Sequence, residues 1–124
     1  MEYSYSIYPE QQLILERYRG TVTMAFVTAA IERMATDPKF CPDYSTIVDL
    51  RECDFKFSPQ DLETLLHCHH QVFGITEGKT ALVVDNPRDT ALSVLFKTYV
   101  DGVRHLDVFS ALEAAQDWIR QPAD

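Results

Sequence analysis

KTALVVDNPRDTALSVLFKTYVDGVRHLDVF, residues 79–109, decides the fold. It opens on Lys79–Asp85 (KTALVVD), a continuous apolar and β-branched run of the kind that forms a central strand buried on both faces. Asn86-Pro87 then opens a helix, since proline suits the first helical position. Ala91, Leu92, Leu95, Phe96 and Tyr99 recur at helical spacing and form its inward stripe. Gly102 ends it, and Arg104–Phe109 (RHLDVF) reads as a second strand. Two strands joined through a helix of that length need a crossover connection, so they are parallel and the crossover is right-handed.

The same alternation extends outward in both directions. Ser45–Leu50 (STIVDL) is another short apolar strand, covered on both faces. Ser58-Pro59-Gln60-Asp61 starts the next helix, with Ser58 as N-cap, Pro59 at the first position and an acid at the third. Leu62, Leu65, Leu66, His69, Val72 and Phe73 share a face, and Gly74 closes that helix. Further upstream, Thr21 is placed to cap a helix whose stripe is Val22, Phe26, Val27, Ala30, Ile31 and Met34, ended by Asp37-Pro38. Residues 3–8 and 12–19 flank Pro9-Glu10-Gln11 as an antiparallel hairpin, and Gly20 ends its second strand. At the other end, Ser110 caps a last helix bearing Leu112, Ala115, Trp118 and Ile119. The order is ββαβαβαβα. It predicts a single α/β domain over 1–124: a five-stranded mixed, mostly parallel sheet, only its first strand antiparallel, with four main helices.

Composition narrows the partners. Eleven Lys plus Arg against nineteen Asp plus Glu leave a net charge of −8 over 124 residues. That field repels phosphate, which argues against nucleic acid and against anionic membrane surfaces. No apolar run reaches the roughly 20 residues of a membrane span. No secretory leader is visible in MEYSYSIYPEQ, and the three cysteines (Cys41, Cys53, Cys68) make neither pairs nor a CxxC. The expectation is a soluble cytoplasmic domain without disulfides.

Several short segments carry a family likeness: Tyr18-Arg19-Gly20-Thr21-Val22-Thr23, Asp37-Pro38-Lys39-Phe40, Ile47-Val48-Asp49-Leu50-Arg51, and the closing run Val108–Ile119. With the element order, they make the chain resemble the STAS domains along its whole length, especially the SpoIIAA-like branch grouped with the Sec14 (CRAL-TRIO) proteins. The resemblance implies a regulatory domain that works by docking to a protein. Its Sec14 side implies an apolar or lipid pocket, although those proteins carry additional helices. In the anti-sigma-factor antagonists of the group, the turn after the third strand carries Asp-Ser-Ser-Gly with a phosphorylated first serine. Here the comparable turn reads Phe57-Ser58-Pro59-Gln60, keeping one serine and losing its neighbours. Ser58 is therefore read first as a helix cap, with phosphorylation second.

Candidate sites follow from topology. In open α/β sheets ligands gather at the C-terminal ends of the strands. Arg51–Ser58 and Asp85–Asp89 lie there, which nominates Arg51, Phe55, Phe57, Ser58, Asp85 and Arg88 for partner or ligand binding. Phe55 and Phe57, with Phe40 and Tyr44, either seal one end of the core or form an apolar recognition surface. His67-Cys68-His69-His70 places His67 and His70 on one helix face, half of a metal site at most, while His69 falls on the apolar stripe. No activated nucleophile, GxGxxG or P-loop spacing occurs. The reading is a non-catalytic regulatory or protein-interaction domain, without cofactor, with a homodimer left open. The alternative is a binder of a small apolar or lipid-like ligand, which an internal cavity would favour. A third is a metal-dependent enzyme using His67 and His70.

Overall fold

A computed structural model describes residues 1–122. The strands are β1 (Glu2–Tyr8), β2 (Leu13–Val22), β3 (Ser45–Phe55), β4 (Lys79–Val83) and β5 (His105–Phe109). The helices are α1 (Met24–Met34), α2 (Asp61–Phe73), α3 (Pro87–Tyr99) and α4 (Leu112–Arg120). One sheet runs in the order β1-β2-β3-β4-β5, antiparallel between β1 and β2 and parallel elsewhere. The expected element order and sheet are thus present.

Strands laid down in chain order with crossovers of one hand put every crossover helix on one side. α1, α2 and α3 accordingly share one face of the sheet with Ile14, Tyr18, Val48, Leu50, Val84 and Leu106. α4 alone covers the other, setting Ala115, Trp118 and Ile119 against Ile47, Ala81 and Val83. The ammonium of Lys79 is buried beneath α4, donating to the carbonyls of Trp118 (2.7 Å) and Gln121 (2.5 Å) at the helix's C-terminal end.

Several boundaries move for identifiable reasons. Gly20 does not end β2. Its φ of +82° lets the strand continue past a register slip between Arg17 and Arg19, and β2 pairs with β3 as far as Val22 with Phe55. β3 therefore runs five residues beyond Leu50, so Phe55 is strand and core rather than loop, at 5% exposure. The cap of α1 is Thr23, not Thr21: its hydroxyl accepts from the Phe26 N–H at 3.3 Å. α1 stops at Met34, short of Asp37-Pro38. Ser110 caps nothing, because Ala111 occupies the N-cap position of α4. Ala91 faces solvent, and the buried positions of α3 are Asp89, Ser93 and Phe96. Asn86 does cap α3, accepting from the Asp89 N–H.

Arg104 lies just outside β5 and is buried, at 4% exposure. Its guanidinium donates to Thr80 Oγ1 (2.6 Å), Tyr44 O (2.7 Å), Thr76 Oγ1 (3.0 Å), Pro42 O (3.1 Å) and Lys79 O (3.2 Å). The Phe73 ring lies 4.6 Å beneath it. Gly78 makes room for this cluster. A Cβ there would stand 2.8 Å from Asp43 O and 3.0 Å from the guanidinium.

Gly78→Ala should therefore destabilise by about 1–3 kcal/mol through overpacking. Arg104→Met, which strands five acceptors, should cost on the order of 3 kcal/mol. Urea denaturation measures both, and a change within error for either would remove the cluster from its structural role.

Candidate functional site

Three helices laid on a five-stranded face leave a gap between them. Leu82 shows it: this residue of β4, flanked by strands on both sides and facing the helices, stays partly exposed. The gap is a cavity of about 90 Å³. Its walls come from the sheet (Val48, Leu50, Phe55, Leu82), from α1 (Val27, Ile31), from α2 (Leu62, Leu65, Phe73) and from α3 (Leu92, Phe96). Native interiors seldom keep voids larger than a water molecule.

Polar groups break the apolar lining at a few points. Glu16 of β2, Thr46 of β3 and His69 of α2 line the cavity at 6%, 1% and 5% exposure. The Glu16 carboxylate accepts from the Tyr3 hydroxyl at 2.5 Å. Among the described residues, Thr46 Oγ1 and both ring nitrogens of His69 have no hydrogen-bond partner. A buried polar atom left unpaired costs stability, so three of them around one cavity need a reason. Burial pushes the Glu16 carboxyl up to about 7, opposed by the Tyr3 hydrogen bond and by Arg104. Burial also holds the His69 imidazole down to about 4, helped by Arg104 and His70. His69 is neutral at physiological pH, packed 4.8 Å from the Phe73 ring centroid.

Four of the nominated residues come together at one end of this cavity. Phe55 and Phe57 stack with centroids 4.9 Å apart, and both line it. Arg88, in the first turn of α3, donates to the carbonyls of Phe55 and Phe57 and thereby latches the turn that carries them. Ser58 sits in that turn, but its hydroxyl is not a helix cap. Asp61 reaches back instead, taking the Ser58 N–H at 2.8 Å and the Ser58 hydroxyl at 3.3 Å. The other two stand apart: Arg51 forms a two-pronged ion pair with Asp49 (2.9 and 3.0 Å), and Asp85 is exposed. His67 and His70 are exposed on α2. Among the described residues, no group of three or more His, Cys, Asp or Glu is close enough to hold a metal ion. Cys41, Cys53 and Cys68 are unpaired thiols.

Glu16 and Thr46 escape a reading by periodicity, because each is a lone polar residue on a strand face otherwise apolar. A signal existed in Ile14-Leu15-Glu16-Arg17-Tyr18, where an acid shares the Ile14 and Tyr18 side.

No family model matches this sequence, and no curated protein does. Four chains of known structure are similar to it. One is an uncharacterized DUF3478-family protein from Shewanella loihica PV-4, described as having a SpoIIAA-like fold. It is 15% identical, with a TM-score of 0.61 over 94% of this chain and 93% of that one. At that identity the likeness is one of fold: this chain has a SpoIIAA-like fold. No helix among the described residues is long and apolar enough to cross a membrane.

Ser58→Ala should leave stability within about 0.5 kcal/mol of the wild type, while Asp61→Ala should lose about 1 kcal/mol in chemical denaturation. Equal losses would return the cap to Ser58. The two cavity titrants oppose each other. Raised from 4.5 to about 7, Glu16 binds more protons folded than unfolded, so its share of stability falls as pH rises through that window. Lowered from 6.5 to about 4, His69 binds fewer, so its share falls as pH drops. Glu16→Gln should therefore leave a chain that loses stability on acidification from pH 6.5 to 4. His69→Phe should leave one that loses it on raising pH from 4.5 to 7. Thermal melts across that range check both slopes.

Proposed function

We propose that this chain is a non-catalytic binding domain that holds a small, largely apolar molecule in the cavity between its sheet and helices. The cavity carries the proposal: an almost wholly apolar gap that the side chains of sheet and helices leave unfilled. A filled core would have supported a purely structural reading. The apolar pocket implied by the Sec14 side of the family resemblance points the same way. At about 90 Å³ the cavity suits a small molecule rather than a whole lipid tail, and it opens past the partly exposed Phe57, Leu65, Leu82 and Leu92. Three unpaired thiols suit a reducing compartment such as the cytoplasm.

The partner-docking reading has less support. Phe55 is core, Arg88 spends its donors on backbone carbonyls, and Arg51 is held by Asp49. Phe57 connects the two readings, since it lines the cavity and stays partly exposed in the turn Arg88 latches. In this proposal that turn is the rim through which ligand enters.

Leu82→Phe replaces an isobutyl group with a larger benzyl group on the sheet floor and so narrows the cavity. Wild-type protein heated with a panel of millimolar alcohols, ketones and nitriles of two to four carbons, all smaller than benzene, should gain several degrees in Tm with some of them. Ligand at a hundred times Kd contributes about 2.7 kcal/mol. The Leu82→Phe variant should fold with unchanged or higher ligand-free Tm and lose that gain. If no compound raises the wild-type Tm, or if Leu82→Phe responds as fully as wild type, the cavity is not the binding site.

A further inference from the structure

We propose that the free edge of β1 is the docking surface for a second copy of this chain, the two sheets joining antiparallel across a two-fold axis into one. β1 and β5 are the outer strands of the sheet. β1 gives one side to β2 over all seven residues, Glu2–Tyr8, and no other segment hydrogen-bonds to its backbone among the described residues. Proteins guard such an edge with brevity, lysine, proline or a bulge. β5 carries guards of this kind. It has five residues, Asp107 Oδ1 takes the Val108 N–H at 2.8 Å, and Lys97 Nζ reaches the same oxygen at 3.1 Å. β1 (EYSYSIY) is longer, keeps an unbroken register with β2, and contains no Lys, Pro or Gly.

The strand is complementary to itself. Tyr3, Tyr5 and Ile7 turn to the helix-covered face, where Tyr3 and Tyr5 stay partly exposed and Tyr3 packs on Tyr5 and Tyr18 with centroids 5.9 and 4.7 Å away. Ser4, Ser6 and Tyr8 alternate with them and are exposed. A two-fold through Tyr5 sets Tyr3 opposite the partner's Ile7, Tyr5 opposite the partner's Tyr5, and Ser4 opposite the partner's Ser6. Aromatic, aliphatic and hydroxyl pairs of this kind stabilise a sheet. Glu2, the one charged residue of β1, falls opposite the partner's Tyr8, so like charges do not meet across the ladder. The symmetry also closes: both β1 edges are used, and the guarded β5 edges end the joined sheet, which argues against an open fibre. At about 3.4 Å per residue the edge is roughly 24 Å long. Such a contact is small beside those of stable complexes, and a net charge of −8 on each chain opposes approach. The dimer therefore belongs to micromolar rather than nanomolar protein, and salt strengthens it. Leu82, at the cavity mouth, lies three strands from β1, so ligand binding and dimerisation stand or fall separately.

Sedimentation velocity of the full chain, from micromolar to near-millimolar protein, should pass from one chain to two, and at lower protein concentration in high than in low sodium chloride. Ser4→Lys combined with Ser6→Lys changes exposed side chains only, so the fold should stand. This variant should stay single throughout, although its added positive charge lessens the net repulsion. His105→Lys, at an exposed position of β5, should dimerise as wild type does. In hydrogen exchange, the β1 amides that β2 does not hold should slow by at least about tenfold between the lowest and highest concentrations. A chain that stays single at near-millimolar concentration in high salt overturns the proposal. A dimer that survives both lysines, or one that His105→Lys abolishes, overturns it too, because the contact then lies elsewhere. Should the lysine variant fail to fold, the wild-type β1 amides decide, and exchange there that ignores protein concentration removes β1 from any interface.

Discussion

The guanidinium of Arg104 is buried against Phe73, with every one of its nitrogens donating to an oxygen of the protein. Its acceptors come from the segment entering β3, from the turn entering β4, and from β4 itself. A planar fork of five donors can reach that many backbone and hydroxyl oxygens at once, as a lysine ammonium could not. No carboxylate pairs with it among the described residues, and burial lowers its pKa to about 10. The charge is solvated by the protein's own dipoles. This arrangement fixes the N-terminal ends of the parallel strands relative to one another. It also requires Gly78, because the 43–44 backbone comes close enough there to exclude a side chain.

Beyond that cluster, the helices leave the space above Leu82 and Val48 unfilled. Phe73 is shared: one face supports Arg104, and the ring also borders the cavity and packs on His69. The structural clamp and the candidate binding site therefore meet at α2. Two opposed titrations also share the space, Glu16 tending to keep its proton and His69 tending to shed it. The cavity stays close to electrically neutral around pH 6 without an ion pair. A low-dielectric pocket of this kind selects against charge more strongly than it selects for any particular apolar shape.

The fold was legible wherever a periodic pattern reports burial. KTALVVD and STIVDL read as central strands, the first ending two residues early at Val83, and Asn86-Pro87 marked the start of α3. Boundaries failed where chemistry local to the backbone replaced pattern. The left-handed φ of Gly20 continued a strand that glycine was read as ending, and Asp61 performed the capping assigned to Ser58. The site was half legible. Phe55, Phe57 and Arg88 were legible because the C-terminal ends of parallel strands gather at one edge. Glu16 and Thr46 were not, since one polar residue on an apolar face leaves only a faint trace, and Arg104 lies outside the periodic part of β5. What makes them informative is the lack or abundance of partners, which exists only in three dimensions.

The strand order β1-β2-β3-β4-β5 means that each strand's ladder partner on one side is the strand made just before it. A chain emerging from a ribosome can extend this sheet by one strand at a time, never leaving a slot to be filled from the far end of the sequence. The exposed flank simply advances with synthesis. Two fastenings come after β4: Arg104, reaching back some sixty residues to Pro42 and Tyr44, and α4 with Gln121, which supply the carbonyls for Lys79. Until both arrive, a nascent chain holds Lys79 without its acceptors and β4 with an open flank. Arg104 and the segment through Gln121 thus work as a latch on strands already laid side by side.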